Sequence, residues 1–226
     1  MLSMAAPDLD FEALRARMVD TQIAARGITD PRVLEAMRRV PRHLFVPPSL
    51  AASAYDDRPL PIGEGQTISQ PYMVAAMTAA LDPRPDGRVL EVGTGSGYQA
   101  AVLAQLAREV VSIERLPVLA ERARRALEAA GITNVTVVVG DGSLGYPPAQ
   151  PYDGILVAAA APEVPAALIE QLAPGGRLVV PVGSPGFQVL TIVTRHRDGS
   201  TSTEVGEGCV FVPLVGRGGW TENAED

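Results

Sequence analysis

A single cysteine, Cys209, stands in the 226 residues, so the chain can build neither an internal disulfide nor a multi-thiolate metal site. A small buried apolar side chain is the plain reading of it. Histidine is nearly as scarce, with only His43 and His196, and both read as structural. Aromatic residues make up 4% of the chain, which leaves the interior to Ala, Val and Leu. No apolar run approaches the roughly 20 residues needed to cross a bilayer. Met1 to Asp10 lacks the charged-then-apolar layout of a signal peptide. The expectation is a cytoplasmic protein without a membrane partner. Positive charge is not in excess either. The net charge is −7 and the pI about 4.9, whereas a nucleic-acid binder needs a basic face to displace counterions. Arg38, Arg39 and Arg42 form one cluster and Arg122, Arg124 and Arg125 another. Each shares a helix-like segment with glutamates (Glu35; Glu121 and Glu128), so both read as solvated helix faces.

What is present is a 46% hydrophobic chain of mean hydropathy +0.13, long enough for one α/β domain with an appendage. Residues 1–81 read as a helical cap with a loop-rich middle. Phe11, Leu14, Met18 and Ile23 recur at roughly helical spacing before Gly27. Asp30-Pro31 opens a second helix, and the stretch from Pro47 to Gln70 reads as irregular. Residues 82–226 form the core, with 82–87 the best linker. Strand-like Arg88–Val92, Val110–Glu114, Val135–Val139, Tyr152–Ala158 and Arg177–Pro181 alternate with helical segments, the last of these over Pro165–Leu172. That alternation predicts a doubly wound, mostly parallel sheet covered on both faces. Val189–Arg197 and Thr201–Val212 flank Asp198-Gly199 and read as an antiparallel hairpin closing a mixed sheet.

Gly93-Thr94-Gly95-Ser96-Gly97 follows the first parallel strand and opens a helix. Open α/β sheets bind ligands there, where glycines let a ligand approach the backbone. The spacing is G-x-G-x-G, not the dinucleotide G-x-G-x-x-G. Glu114, at the end of the second strand, is placed to accept both hydroxyls of a ribose. Asp141, at the end of the third, is placed to accept from an adenine amino group. The competing reading is a tight turn with two helix-capping acids. The run Glu91-Val-Gly-Thr-Gly-Ser-Gly97 resembles the signature of Rossmann-like S-adenosylmethionine methyltransferases, and a dehydrogenase is the weaker reading.

Among methyl acceptors, a carboxylate suits a chain poor in bases, because it is already ionised at neutral pH. The Asp/Asn-Pro-Pro-Tyr motif that would grip a planar amino group is missing: Ile155 to Pro162 is apolar and small. Nothing marks a metal site. Gln66-Thr67-Ile68-Ser69-Gln70-Pro71 leads into a helix whose free N–H groups and positive dipole end favour an anion. On composition alone, capping that helix is the better reading of Ser69.

Over nearly its whole length the sequence resembles the protein-L-isoaspartate O-methyltransferases. The likeness is carried by Met18–Ile23, Val40–Pro47, Ala54–Asp57, Gly65–Met73, Leu90–Tyr98, Val111–Arg115, Gly140–Gly142, Gln171–Arg177 and Phe211–Leu214. The resemblance implies that Ser69 is the active-site serine, and that Thr67, Ile68, Ser69 and Gln70 bind the isoaspartyl carboxylate. It also implies that Gly93, Thr94, Gly95, Gly97, Glu114, Asp141 and Gly142 hold S-adenosylmethionine, with S-adenosylhomocysteine as product. The implied substrates are isoaspartyl-containing proteins and peptides, repaired through a succinimide by an enzyme acting as a monomer. Tyr72 departs from the histidine of animal members, which leaves its role open. Residues 1–9 precede the family pattern and are expected to be disordered. Two rivals stay open: a related enzyme esterifying aspartate in one dedicated peptide, and a cofactor-binding protein without catalysis.

Overall fold

The computed structural model describes residues 9–221, so most of the segment expected to be disordered lies outside the described residues. Helix α1 (Phe11–Met18) starts on Asp10, whose carboxylate accepts from the Ala13 N–H at 2.9 Å. It continues as a π turn over Val19–Ile23, which explains why Met18 and Ile23, five apart, are both buried. Gly27, at φ 98°, ends the segment. Helix α2 (Pro31–Arg39) begins as expected, with Asp30 accepting from the Arg32 N–H at 2.8 Å and Pro31 at the first position.

The stretch from Pro47 to Gln70 is more ordered than its Pro and Gly content suggests. It contains a short 3₁₀ helix (Pro48–Ser53) and an antiparallel hairpin, β1 (Leu60–Gly63) with β2 (Gln66–Ile68). Glu64 and Gly65 turn the hairpin with positive φ at both positions, matching a two-residue loop. Buried Leu60, Ile62 and Ile68 supply its apolar side. Helix α3 (Pro71–Leu81) follows at once.

The core is the alternation expected: β3 (Arg88–Val92), α4 (Tyr98–Ala104), β4 (Glu109–Glu114), α5 (Pro117–Ala129), β5 (Val135–Val139), β6 (Tyr152–Val157), α6 (Ala166–Glu170), β7 (Leu172–Ser184), β8 (Phe187–Arg195) and β9 (Thr201–Cys209). The strand order is β5-β4-β3-β6-β7-β8-β9, parallel through β7 and antiparallel for the last two. Several boundaries differ from the sequence reading. Helix α6 is only five residues long, and β7 extends beyond Arg177–Pro181 at both ends. A second hairpin turns at Pro185-Gly186 between β7 and β8, and β9 stops at Cys209 instead of Val212. The long β7 is held by eight register pairs with β8, a tertiary pairing that local composition does not encode.

Residues alternate across the sheet. Leu90, Val92, Ile155 and Val157 face α6 with Leu168, while Val89, Val110, Leu156 and Val179 face α3 through Met73, Met77 and Leu81. The N-terminal cap packs Met18, Val33, Met37 and Phe45 against Tyr98, Val102 and Leu119. Arg42 corrects the sequence reading. Arg38 and Arg39 are ion-paired on a solvated face, but Arg42, beyond the end of α2, has no exposed surface. His43 is structural as expected: it stacks on Phe11 at 4.0 Å between centroids, and its Nδ1 lies 2.8 Å from the Tyr55 hydroxyl.

Removing the α2 cap gives a direct check of this assembly, because Arg32 bridges Asp30 and Asp82 at 2.7 and 2.6 Å. Asp30→Ala is expected to cost about 1 kcal/mol, read as a fall of roughly 2–4 °C in a thermal melt. Asp30→Asn, which can still cap, should lose less.

Candidate active site

The order of strands reverses around β3, and the chain leaves that strand through the glycines. Gly93 and Gly97, at φ 91° and 88°, open and close a loop whose Gly93 N–H bonds back to the Ile113 carbonyl at 2.9 Å. Such φ values disfavour any side chain. Beneath the loop, the Thr94 and Ser112 hydroxyls pair with each other, and Ser112 donates to Glu91. Glu91 and Ser112 are direct register partners in β3 and β4. At the end of β4, Glu114 is 6% exposed; its carboxylate accepts from the Gly95 N–H at 2.8 Å and the Leu116 N–H at 3.0 Å. Gly142 packs so closely that a Cβ there would lie 2.5 Å from Val92 Cγ1.

The second component lies where β2 runs into α3. Gln70 occupies the cap position of α3, but its side chain donates to Asp57 Oδ1 at 2.7 Å, and no side chain caps the helix. Ser69 is therefore not a capping residue, contrary to the reading from composition. Its carbonyl is held by Arg42, whose Nη2 donates at 2.8 Å while Nε donates to the Ala54 carbonyl at 2.7 Å.

These components meet. Gln66, Thr67, Ile68 and Ser69 line one cleft, open to solvent, with Gly93–Ser96, Glu114 and Gly142. Thr67 and Ser69 also line a neighbouring groove of about 1120 Å³, with Tyr72, Glu207 and Val210. Tyr72 thus belongs to the outer groove, where the Arg26 guanidinium lies 3.5 Å from its ring centroid. Asp141 does not line the cleft. Both its oxygens are engaged, one by the Ser143 N–H and hydroxyl and the other by the Arg217 N–H at 2.8 Å. Sequence reasoning missed the far wall, Ala158–Ala159 and Val212–Val215, pinned by the Trp220 indole N–H on the Ala160 carbonyl at 3.1 Å. The Phe211–Leu214 motif was the available signal for it. Among the described residues no group of three or more His, Cys, Asp or Glu is disposed to hold a metal, and no helix is long and apolar enough to cross a membrane.

Residues 13–219 match the family model for protein-L-isoaspartate(D-aspartate) O-methyltransferase. The chain belongs to that family. It is similar to the protein-L-isoaspartate O-methyltransferases of Methanoculleus marisnigri, at 61% identity over 91% of this chain and 93% of the relative, and of Trichlorobacter lovleyi, at 54% over 96% and 100%. Among solved structures it resembles a putative Plasmodium falciparum protein-L-isoaspartate O-methyltransferase in complex with S-adenosyl-L-homocysteine. The TM-score is 0.77 at 25% identity, covering 89% of this chain and 98% of that one. The isoaspartate methyltransferase is thus an S-adenosylmethionine-dependent enzyme that methylates L-isoaspartyl residues in protein repair.

The cleft fits that cofactor through Gly93, Gly95 and Ser96, half-buried loop residues that line it beside Glu114. Glu91 does something else. Complete burial pushes its pKa up to about 8, against the opposing hydrogen bond from Ser112, so it is largely protonated at neutral pH. A folded-state pKa above the ordinary value of 4.5 means that protonation favours the fold. Stability from this group is fully present below about 4.5 and is lost as pH rises towards 8. Thermal melts of Glu91→Gln and the parent should therefore diverge from pH 5 to pH 8, the parent falling relative to the variant. Parallel curves would refute the assignment.

Proposed function

We propose that the segment Thr67–Gln70 holds the free carboxylate of the isoaspartyl residue at the junction of cleft and groove, with Ser69 as the residue that touches the reacting anion. The observation that carries this reading is the position of Ser69, which lines both spaces. S-adenosylmethionine supplies an electrophilic sulfonium methyl group. Gly93, Thr94, Gly95 and Gly142 would present backbone to it, Gly97 would shape the loop from behind against Ala123, and Glu114 would accept from its ribose hydroxyls. Asp141 serves the cofactor indirectly, by tying Ser143, next to Gly142, to the turn at Arg217 around the adenine end.

The protein residues then have little acid–base chemistry to perform. A carboxylate is ionised at neutral pH, so the site needs only to strip part of its hydration and align it. The uncapped start of α3 offers free N–H groups and the positive end of a helix dipole, and Ser69 a hydroxyl. The outer groove receives the flanking peptide, with β9 and Val210 as one side and Gln70–Met73 as the other. We assign residues 1–81 chiefly to substrate capture and 82–226 chiefly to cofactor binding within one packed unit, with Glu207–Val212 completing the substrate groove and Gln66–Ser69 the cofactor cleft. A lone buried thiol at Cys209 suits the cytoplasm.

Labelled methyl groups should pass to an isoaspartyl peptide and not to its aspartyl twin; equal labelling of the two would remove the repair assignment. Ser69→Ala deletes one hydrogen bond to a charged group, worth about 1.5–3 kcal/mol, so kcat/KM should fall roughly tenfold to a hundredfold. Cofactor affinity, measured by calorimetry, should hardly change. Glu114→Ala should show the reverse pattern, weakening S-adenosylhomocysteine binding about tenfold or more; unchanged binding would move the ribose elsewhere.

A further inference from the structure

Arg42 is the largest side chain in the structure with essentially no exposed surface. Burial of an isolated cation is costly, and proteins normally meet that cost with a carboxylate. None is paired with Arg42 among the described residues. Its guanidinium has two backbone carbonyls, Ala54 and Ser69, and the face of the Tyr98 ring, 4.7 Å from its central carbon. The remaining nitrogen, Nη1, is buried without a hydrogen-bond partner. Burial lowers its pKa to about 10, which still leaves it positive at neutral pH.

Two of these neighbours line the cofactor cleft. Ser69 and Tyr98 form its wall, with Arg42 directly behind both. Other cations near these two spaces are exposed to solvent: Arg115 at the cleft, and Arg26 in the outer groove, which is ion-paired with Asp57 at 3.2 Å. A carboxylate bound at Ser69 would stand one residue in front of an unneutralised charge, inside protein where screening is weak.

We propose that Arg42 is a positioning residue that also supplies the counter-charge for the substrate: through the Ser69 carbonyl it fixes the anion-binding segment, and its unpaired charge selects a carboxylate over a neutral group. This rests on the placement of the carboxylate at Ser69. It has a consequence for turnover. Methylation converts the anion into a neutral ester, so the attraction that draws substrate in is absent for product. The hydrogen bonds of Arg42 are to carbonyls and are unaffected by the reaction; only the long-range charge interaction changes.

The test compares an isoaspartyl peptide with an analogue carrying a carboxamide in place of the free carboxylate. The first is followed by KM, the second by Ki as an inhibitor. In Arg42→Gln, KM should rise about tenfold more than Ki, a difference of about 1.4 kcal/mol. Arg42→Lys, which keeps the charge, should recover a large part of that selectivity. If KM and Ki rise together, or neither rises, Arg42 is only a structural clamp and the proposal is overturned. Should Arg42→Gln fail to fold, the parent enzyme still decides. Its ratio of Ki to KM should change less than about twofold between low and high salt, because a buried charge is poorly screened. A much larger fall would assign the selectivity to an exposed cation and overturn the proposal. Ser69→Ala is assayed alongside. Normal kinetics in that variant would overturn the placement of the carboxylate, whereas impaired Ser69→Ala with parallel KM and Ki in Arg42→Gln would overturn the role of Arg42 alone.

Discussion

A parallel sheet has an end at which neighbouring crossovers diverge, and in this protein it lies beyond β3, with β4 on one side and β6 on the other. The core side of the cleft is arranged around that gap. The glycine-rich loop leaves β3, Glu114 closes β4 and Gly142 follows β5. Ala158 and Ala159 follow β6, small enough to leave the space open. The loop is supported from below by polar groups instead of apolar ones. Glu91, Ser112 and Thr94 form a buried chain of hydrogen bonds whose register is dictated by the pairing of β3 with β4.

The cap contributes the other half of the site, and its attachment is unusual in kind. Most of the contact between cap and core is apolar, through Met37, Phe45, Tyr98 and Leu119. Arg42 adds directional links inside the cap, joining Ala54 to the segment proposed to meet the substrate, and lays its guanidinium on the core residue Tyr98. Apolar packing fixes distance well and orientation poorly, whereas a guanidinium fork fixes both. That difference matters where a nucleophile must be aligned with a methyl group.

Much of this was legible in the residues. The strand–glycine–helix pattern located the cofactor loop, and Glu114 fell where the second strand had to end. The conversion of Asp30-Pro31 into a helix start followed from local chemistry alone. What was not legible depended on long-range pairing. The β1–β2 hairpin was hidden by its Pro and Gly content, and β7 gained its length from β8. Arg42 looked like its neighbours Arg38 and Arg39 because helical charge patterns say nothing once the helix has ended. Asp141 does follow the third parallel strand, but the C-terminal turn that occupies one of its oxygens and the Ser143 hydroxyl comes from residues about 75 positions away.

That same turn sets the order in which the site can come into existence. The wall at Val212–Val215 is attached through Arg217 to Asp141 and through Trp220 to Ala160, so the pocket is enclosed only after the antiparallel strands β8 and β9 have been laid down. Ligand occupancy therefore reports on completion of the whole sheet, and a bound cofactor stabilises the closed arrangement by mass action.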